Sequence, residues 1–170
     1  MTKPVIPILA LAEIFDSLTD TQLQLVAAIC EPAIYSKGEI LIQENESTDE
    51  MYVIGEGAVE ILVNPGFVSA TQQEMESVVV AELRPGQVFG EVSLVDQGIR
   101  SATVRISRDK TYVLRISRER LMFLCNTYPE LGYKVMKNLA ADLALKIRHT
   151  DLTIRQYQLM LSDTANNVGK

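Results

Sequence analysis

VFGEVSLVDQGIRSATV, residues Val88 to Val104, places an acid and a base where one small ligand would need both. Glu91 follows Gly90 at the start of a short run able to form a helix. Arg100 and Ser101 arrive after a turn at Gly98 and lead into a strand pattern from Ala102 to Ile106. A carboxylate beside an anion-binding arginine makes a poor site for bare phosphate, because like charges repel. It makes a good site for a ligand that carries a hydroxyl donor next to its phosphate.

The roles divide accordingly. Backbone amides of Val92 and Ser93, at the start of the short helix, suit a phosphate oxygen. Arg100 offers charge-assisted hydrogen bonds and Ser101 a hydroxyl. Glu91 is left to accept a ribose hydroxyl, and Gly90 lets the backbone approach the ligand. A nucleoside 3',5'-cyclic phosphate combines one negative charge on its ring with a free 2'-hydroxyl. Taken singly, these residues have plainer readings. A Gly-Glu pair before an apolar run is a common turn into a helix, and a lone arginine is usually a solvated charge. Their spacing within a strand-rich frame favours the ligand site; a degenerate roll without ligand is the alternative.

Working outward, Ala33 to Ile116 reads as short β-rich runs broken by Gly38, Gly55, Gly57, Pro65-Gly66, Pro85-Gly86 and Gly98. Regular short strands with turn residues between them predict an antiparallel, jelly-roll-like β-roll. The polar stretch Asn64 to Ser77 predicts a long exposed connection. Upstream, Thr19 to Gln22 has capping-box spacing before an amphipathic run, with Pro32 as its stop. Downstream, Ser117 begins helical pattern and Thr127 to Glu130 repeats the capping-box spacing. The expected fold is α+β, mainly β: a roll with an N-terminal helix and a long C-terminal dimerisation helix. The expected division is 1–128 for the roll and flanking helices, 129–161 for the long helix and 162–170 for a tail.

On these residues the chain resembles the cyclic nucleotide-binding domain family, the modules of catabolite activator proteins and protein kinase A regulatory subunits. Val88 to Val104 is similar to the family's phosphate-binding cassette. YSKGEILIQENESTDEMYVIGEGAVEILV (35–63) is similar to its opening strands and LRPGQVFGE (83–91) to its approach to the site. The resemblance runs over about residues 12–155. It implies Glu91 on the ribose, the amides of Val92 and Ser93 on the phosphate, Arg100 paired with the phosphate and Ser101 beside it. Glu44 and Thr48 stand where many members have glycine; that loop is expected to lie away from the cassette. Ser93 stands where alanine is common, a change expected to be tolerated because the family uses the backbone amide.

Composition limits the other possibilities. With 170 residues, 47% of them hydrophobic, the chain can bury a proper core. A net charge of −6 argues against a nonspecific nucleic-acid face. No apolar run approaches the ~20 residues of a membrane span, and the N-terminus lacks a convincing cleavage site, so a cytoplasmic protein is expected. Cys30 and Cys125 form no motif and read as free thiols in apolar helical surroundings. His149, the single histidine, is a poor metal ligand by itself, so neither a metal nor a cofactor is expected. No nucleophile with its base is visible, and no catalysis is expected.

Met136, Ala140, Leu143, Ile147, Thr150, Ile154, Tyr157 and Leu161 alternate spacings of four and three, the seam of a coiled coil. At ~1.5 Å per residue they span about 38 Å, more than packing on a small roll requires, which predicts a homodimer helix. Of a second stripe, Leu145, Leu152 and Leu159, the first part is expected to cover the roll and the ligand's base, with Leu145, Lys146 and His149 as base or lid candidates; simple core packing is the plainer reading. Family alignment brings Lys146 and Ile147 to where other members use hydroxyls to meet adenine. A lysine donates to a guanine carbonyl but cannot accept from an adenine amino group. The family's commonest ligand makes cAMP the favoured expectation, with cGMP its rival. Only SDTANNVGK follows Leu161, too little for a DNA-reading module. A complete chain is expected to act through an unidentified effector protein, as a regulatory dimer or as a nucleotide buffer, and a fragment through a missing C-terminal domain; the alternative function is a nucleotide-free scaffold.

Overall fold

The computed structural model describes residues 4–65, 76–96 and 98–168. Most of the connection expected between Asn64 and Ser77 falls outside them. Helix α1 (Val5–Leu9) follows Pro4; Pro7 sits in its first turn, where an amide has no helical partner to lose. A 3-10 turn (Glu13–Phe15) buries Ile14 and Phe15. Helix α2 (Asp20–Ile29) opens on the expected capping box, with the Thr19 amide donating to Gln22 Oε1 at 3.0 Å and the Gln22 amide to Thr19 Oγ1 at 3.3 Å.

Eight strands among the described residues form two antiparallel four-stranded sheets: β1 (Cys30–Tyr35), β2 (Ile40–Ile42), β3 (Met51–Glu56), β4 (Val59–Val63), β5 (Val78–Leu83), β6 (Val88–Phe89), β7 (Thr103–Ile106) and β8 (Thr111–Ile116). One sheet runs β1-β8-β3-β6, the other β2-β7-β4-β5. The helix before β1 stops earlier than Pro32 suggests. Cys30 is already extended and pairs with Ile116, and Pro32 lies within β1 opposite Leu114. An edge strand tolerates proline because one side of its ladder needs no donor.

The first sheet is covered on both faces, and β3 shows how. Met51 and Val53 point into a core shared with the helices, while Tyr52 and Ile54 point between the sheets. Alternation of this kind on a doubly covered sheet turns a polar-apolar pattern into a continuous apolar run. The space between the sheets is filled by Ile42, Val59, Phe89, Val104, Ile106 and Val113.

Helix α3 (Ser93–Asp96) is a single turn. Helix α4 (Arg118–Thr127) is capped by Ser117, whose hydroxyl accepts from the Arg120 amide. The second capping box does not form: Thr127 Oγ1 donates back to Phe123 O at 2.8 Å, inside the turn that ends α4. Helix α5 instead starts on Pro129, a residue preorganised for a first helical position. It runs Pro129–Val168, past Leu161 and through the stretch read as a tail.

The start of α5 also corrects the coiled-coil reading. Leu131, Val135 and Leu139 are buried in the helical core, with Met136 and Leu143 packed against it. Met136 and Leu143 therefore pack, partly buried, on the chain's own core. Asn138 Nδ2 ties this portion down by donating to Ile14 O at 3.2 Å and Asp16 O at 2.8 Å. Beyond residue 144 the apolar side chains Leu145, Ile147, Leu152, Ile154, Tyr157 and Leu159 are each about half exposed or more. Among the described residues no helix is long and apolar enough to cross a membrane.

Leu139→Ala is expected to lower the unfolding free energy by about 2–5 kcal/mol in urea titration. A loss under ~1 kcal/mol would remove Leu139 from the core assigned here.

Candidate functional site

β6 pairs with β3 through Phe89 opposite Tyr52, and the two rings stack at 4.9 Å with an 8° angle. Burial and the charge of Glu50 push the Tyr52 hydroxyl up to about 12, so it stays neutral beside the site. The chain then turns sharply at Gly90, at φ +74°. A Cβ there would meet Glu50 O at 2.7 Å and Arg100 Nη1 at 2.9 Å, so both conformation and space call for glycine. Glu91 follows, with only 4% of its surface exposed, and α3 begins two residues later.

Arg100 is 6% exposed, and its charge is met from three directions. Nε donates to Thr48 Oγ1 at 2.8 Å; Nη1 donates to Gly90 O at 3.1 Å and Ser93 Oγ at 3.2 Å; Nη2 donates to Glu50 O at 2.6 Å. Burial pulls the guanidinium down from its ordinary range, while Tyr52, Glu50, Asp49 and Glu91 work the other way. The Arg100 amide donates to Glu46 O, and Arg100 O accepts from the Asn45 amide, both at 2.9 Å. The loop carrying Glu44 and Thr48 thus packs on the cassette, contrary to the expectation that it lies away. The Thr48 hydroxyl is itself a partner of Arg100.

Ser93 also does more than present an amide. Its hydroxyl donates to Gly90 O at 2.7 Å while accepting from Arg100. Both contacts need an oxygen that alanine would lack.

Glu91 Oε1 accepts from Lys146 Nζ of α5 at 2.7 Å, and Lys146 Nζ lies 2.9 Å from Asp142 Oδ2. Burial alone would depress the ammonium; the two carboxylates outweigh it and raise it above the ordinary lysine value. A cavity of about 530 Å³ is lined by Gly90, Glu91, Val92, Ser93, Arg100 and Ser101 together with Lys146 and Thr150. All six residues singled out around the cassette therefore share one wall. Of the helix candidates, Lys146 reaches this cavity. Leu145 and His149 line an adjoining cleft of about 630 Å³ instead, which Lys146 also borders.

Sequence reasoning missed Thr48, Glu50 and Asp142. Each is an ordinary polar residue until the fold brings it to a buried charge, so the sequence held no separate signal for them. Glu50 links the site outward: it lies 3.9 Å from Arg100 Nη2 and 3.7 Å from Arg115 Nη1, and Arg115 pairs with Glu31. Among the described residues no cluster of three or more His, Cys, Asp or Glu side chains could hold a metal ion. The arrangement offers donors for an anion and an acceptor for a hydroxyl, which suits holding a ligand.

Comparison with known proteins follows the same line. A family model described as cyclic nucleotide-binding domain matches residues 33–128. A cyclic AMP receptor protein of Thermus thermophilus is 27% identical over 141 residues, covering 83% of this chain and 60% of that protein. A cAMP-dependent protein kinase regulatory subunit of Dictyostelium discoideum is 31% identical over 108 residues, covering 62% of this chain and 31% of that protein. The chain thus spans less than two thirds of the length of either relative. Among solved structures, the Thermus thermophilus catabolite activator protein superposes with a TM-score of 0.71 at 27% identity, covering 86% of this chain and 63% of that one.

Gly90→Ala is expected to cost about 2 kcal/mol or more in urea unfolding, from the left-handed backbone and the contact with Glu50 O. A neutral result would mean that the turn at Gly90 relaxes freely.

Proposed function

The chain belongs to the cyclic nucleotide-binding domain family, and on that premise we propose that it is a cytoplasmic cyclic-nucleotide sensor, cAMP favoured. The observation that carries this reading is the pair of buried opposite charges, Arg100 and Glu91, on the wall of one cavity of about 530 Å³. A cyclic phosphate oxygen belongs with Arg100 and the amides of Val92 and Ser93, with Ser101 beside them. The 2'-hydroxyl belongs with Glu91. Relatives named for cyclic AMP support cAMP; relatives named for cyclic GMP keep cGMP as the rival.

The signal leaves through α5. Ligand capture shifts the population of helix arrangements only insofar as the ligand binds one of them better. Ile147, Ile154 and Tyr157 give α5 an apolar stripe for a second copy of the chain, with β-branched residues at positions that favour two strands. Dimerisation and lid thus occupy the same helix over 129–161, and the roll with its flanking helices over 1–128 supplies the ligand site. The net charge of −6 favours an effector protein over nucleic acid. We read the chain as a binding module without catalytic activity of its own, and without metal or cofactor.

One observation favours a second reading, a scaffold that binds no nucleotide. Arg100 already donates to four protein oxygens, so only one of its five N–H groups, on Nη2, is left for an incoming phosphate unless one of these bonds yields. Ser93 Oγ, at the longest of these distances, is the readiest to yield.

Isothermal titration of nucleotide-stripped protein separates the readings. The sensor predicts saturable binding near one ligand per chain, weakened about ten- to hundredfold in Arg100→Gln. Silence with both cAMP and cGMP would select the scaffold. On the same samples, Ile154→Asp is expected to convert dimer to monomer in sedimentation equilibrium. A wild-type chain that sediments as a monomer would overturn the dimer helix.

A further inference from the structure

Glu91 is the buried acceptor at the site, and it cannot hold its charge and its direction alone. An uncompensated carboxylate removed from water is costly, and the ordinary escape is to turn outward or take up a proton. The partner that meets it, Lys146, comes not from the roll but from α5, fifty-five residues further along the chain. The arrangement is graded in exposure: the Glu91 side chain is 5% exposed and that of Lys146 is 47% exposed. Asp142, one turn before Lys146 on the same helix, steadies the ammonium from behind at 2.9 Å.

The pairing also leaves Glu91 able to serve two partners at once, since Lys146 Nζ holds Oε1. One oxygen of a carboxylate remains free to accept while the other is held, because the group offers about four lone-pair directions.

We propose that Lys146 is a positioning residue for ligand recognition: through its ion pair it holds Glu91 aimed into the cavity, so that the protein prefers ligands with a 2'-hydroxyl. This rests on the cyclic-nucleotide reading and deepens it. Lys146 acts through Glu91 without reading the base, and the ribose contact is complete only when α5 lies against the cassette. The selected chemistry is a ribose-bearing cyclic phosphate over its 2'-deoxy counterpart.

The test is a thermodynamic cycle of protein and ligand. The affinities of cAMP and 2'-deoxy-cAMP are measured by titration calorimetry on wild-type protein, Lys146→Met and Lys146→Arg, with circular dichroism confirming that each variant folds. Wild-type protein is expected to bind cAMP at least about tenfold more tightly than 2'-deoxy-cAMP. In Lys146→Met that ratio falls below about threefold. The loss comes from weaker cAMP binding, while 2'-deoxy-cAMP binding stays within about threefold of wild type, since a residue acting through one hydroxyl contact cannot cost more than that contact. Lys146→Arg, which can re-form the ion pair, keeps the wild-type ratio.

A ratio in Lys146→Met that stays above about threefold, or a large loss of both ligands, overturns the assignment and leaves the sensor reading standing. A wild-type protein that binds cAMP but does not distinguish the deoxy ligand overturns it as well. Wild-type silence toward cAMP and cGMP overturns the sensor reading itself, and the assignment with it.

Discussion

A guanidinium that is nearly sealed from water must find oxygens in the protein, and Arg100 finds them on two separate segments, with its backbone adding a third tie. Gly90 and Ser93 belong to the cassette, Thr48 and Glu50 to the loop entering β3, and the Arg100 backbone pairs with Asn45 and Glu46. Removing any one group leaves a buried donor unpaired, at about 1–3 kcal/mol. The cost ties the cassette to the loop just beyond the short β3–β6 ladder. The glycine at position 90, the hydroxyl at position 93 and the course of the loop before β3 all answer to that charge.

The same constraint decides what sequence reading reaches. Arg100, Glu91 and Gly90 are legible because their chemistry is unusual in combination and close in the chain. Thr48 and Glu50 are some fifty residues away, and no local pattern marks a threonine or a glutamate as the partner of a distant arginine. Ser93 illustrates the intermediate case: the sequence marks its place in the cassette, but the contacts of its hydroxyl emerge only in the fold.

Periodicity behaves in the same way. The apolar run Met51–Ile54 marks a buried strand, yet the pattern does not say that one sheet face meets helices and the other meets β2, β4 and β7. In α5 a four-three repeat extends from Met136 onward, and the repeat is indifferent to what covers it. The roll claims Leu131, Val135 and Leu139, with Met136 and Leu143 packed against them, while the large apolar side chains after residue 144 stand exposed. Thr127 to Glu130 has the spacing of a cap but sits where α4 ends, so its hydroxyl satisfies an outgoing carbonyl.

Helix α5 continues from Lys146 to Val168, about 33 Å at ~1.5 Å per residue. The roll grips it up to Leu143 and, by the ion pair, at Lys146. Mechanically this is a lever with its fulcrum at the ligand cavity: a tilt of ~10° about Lys146 carries the far end through about 6 Å, comparable to one helical pitch. A displacement too small to disturb the core near the site therefore becomes, at the end of the helix, a movement as large as one helical turn.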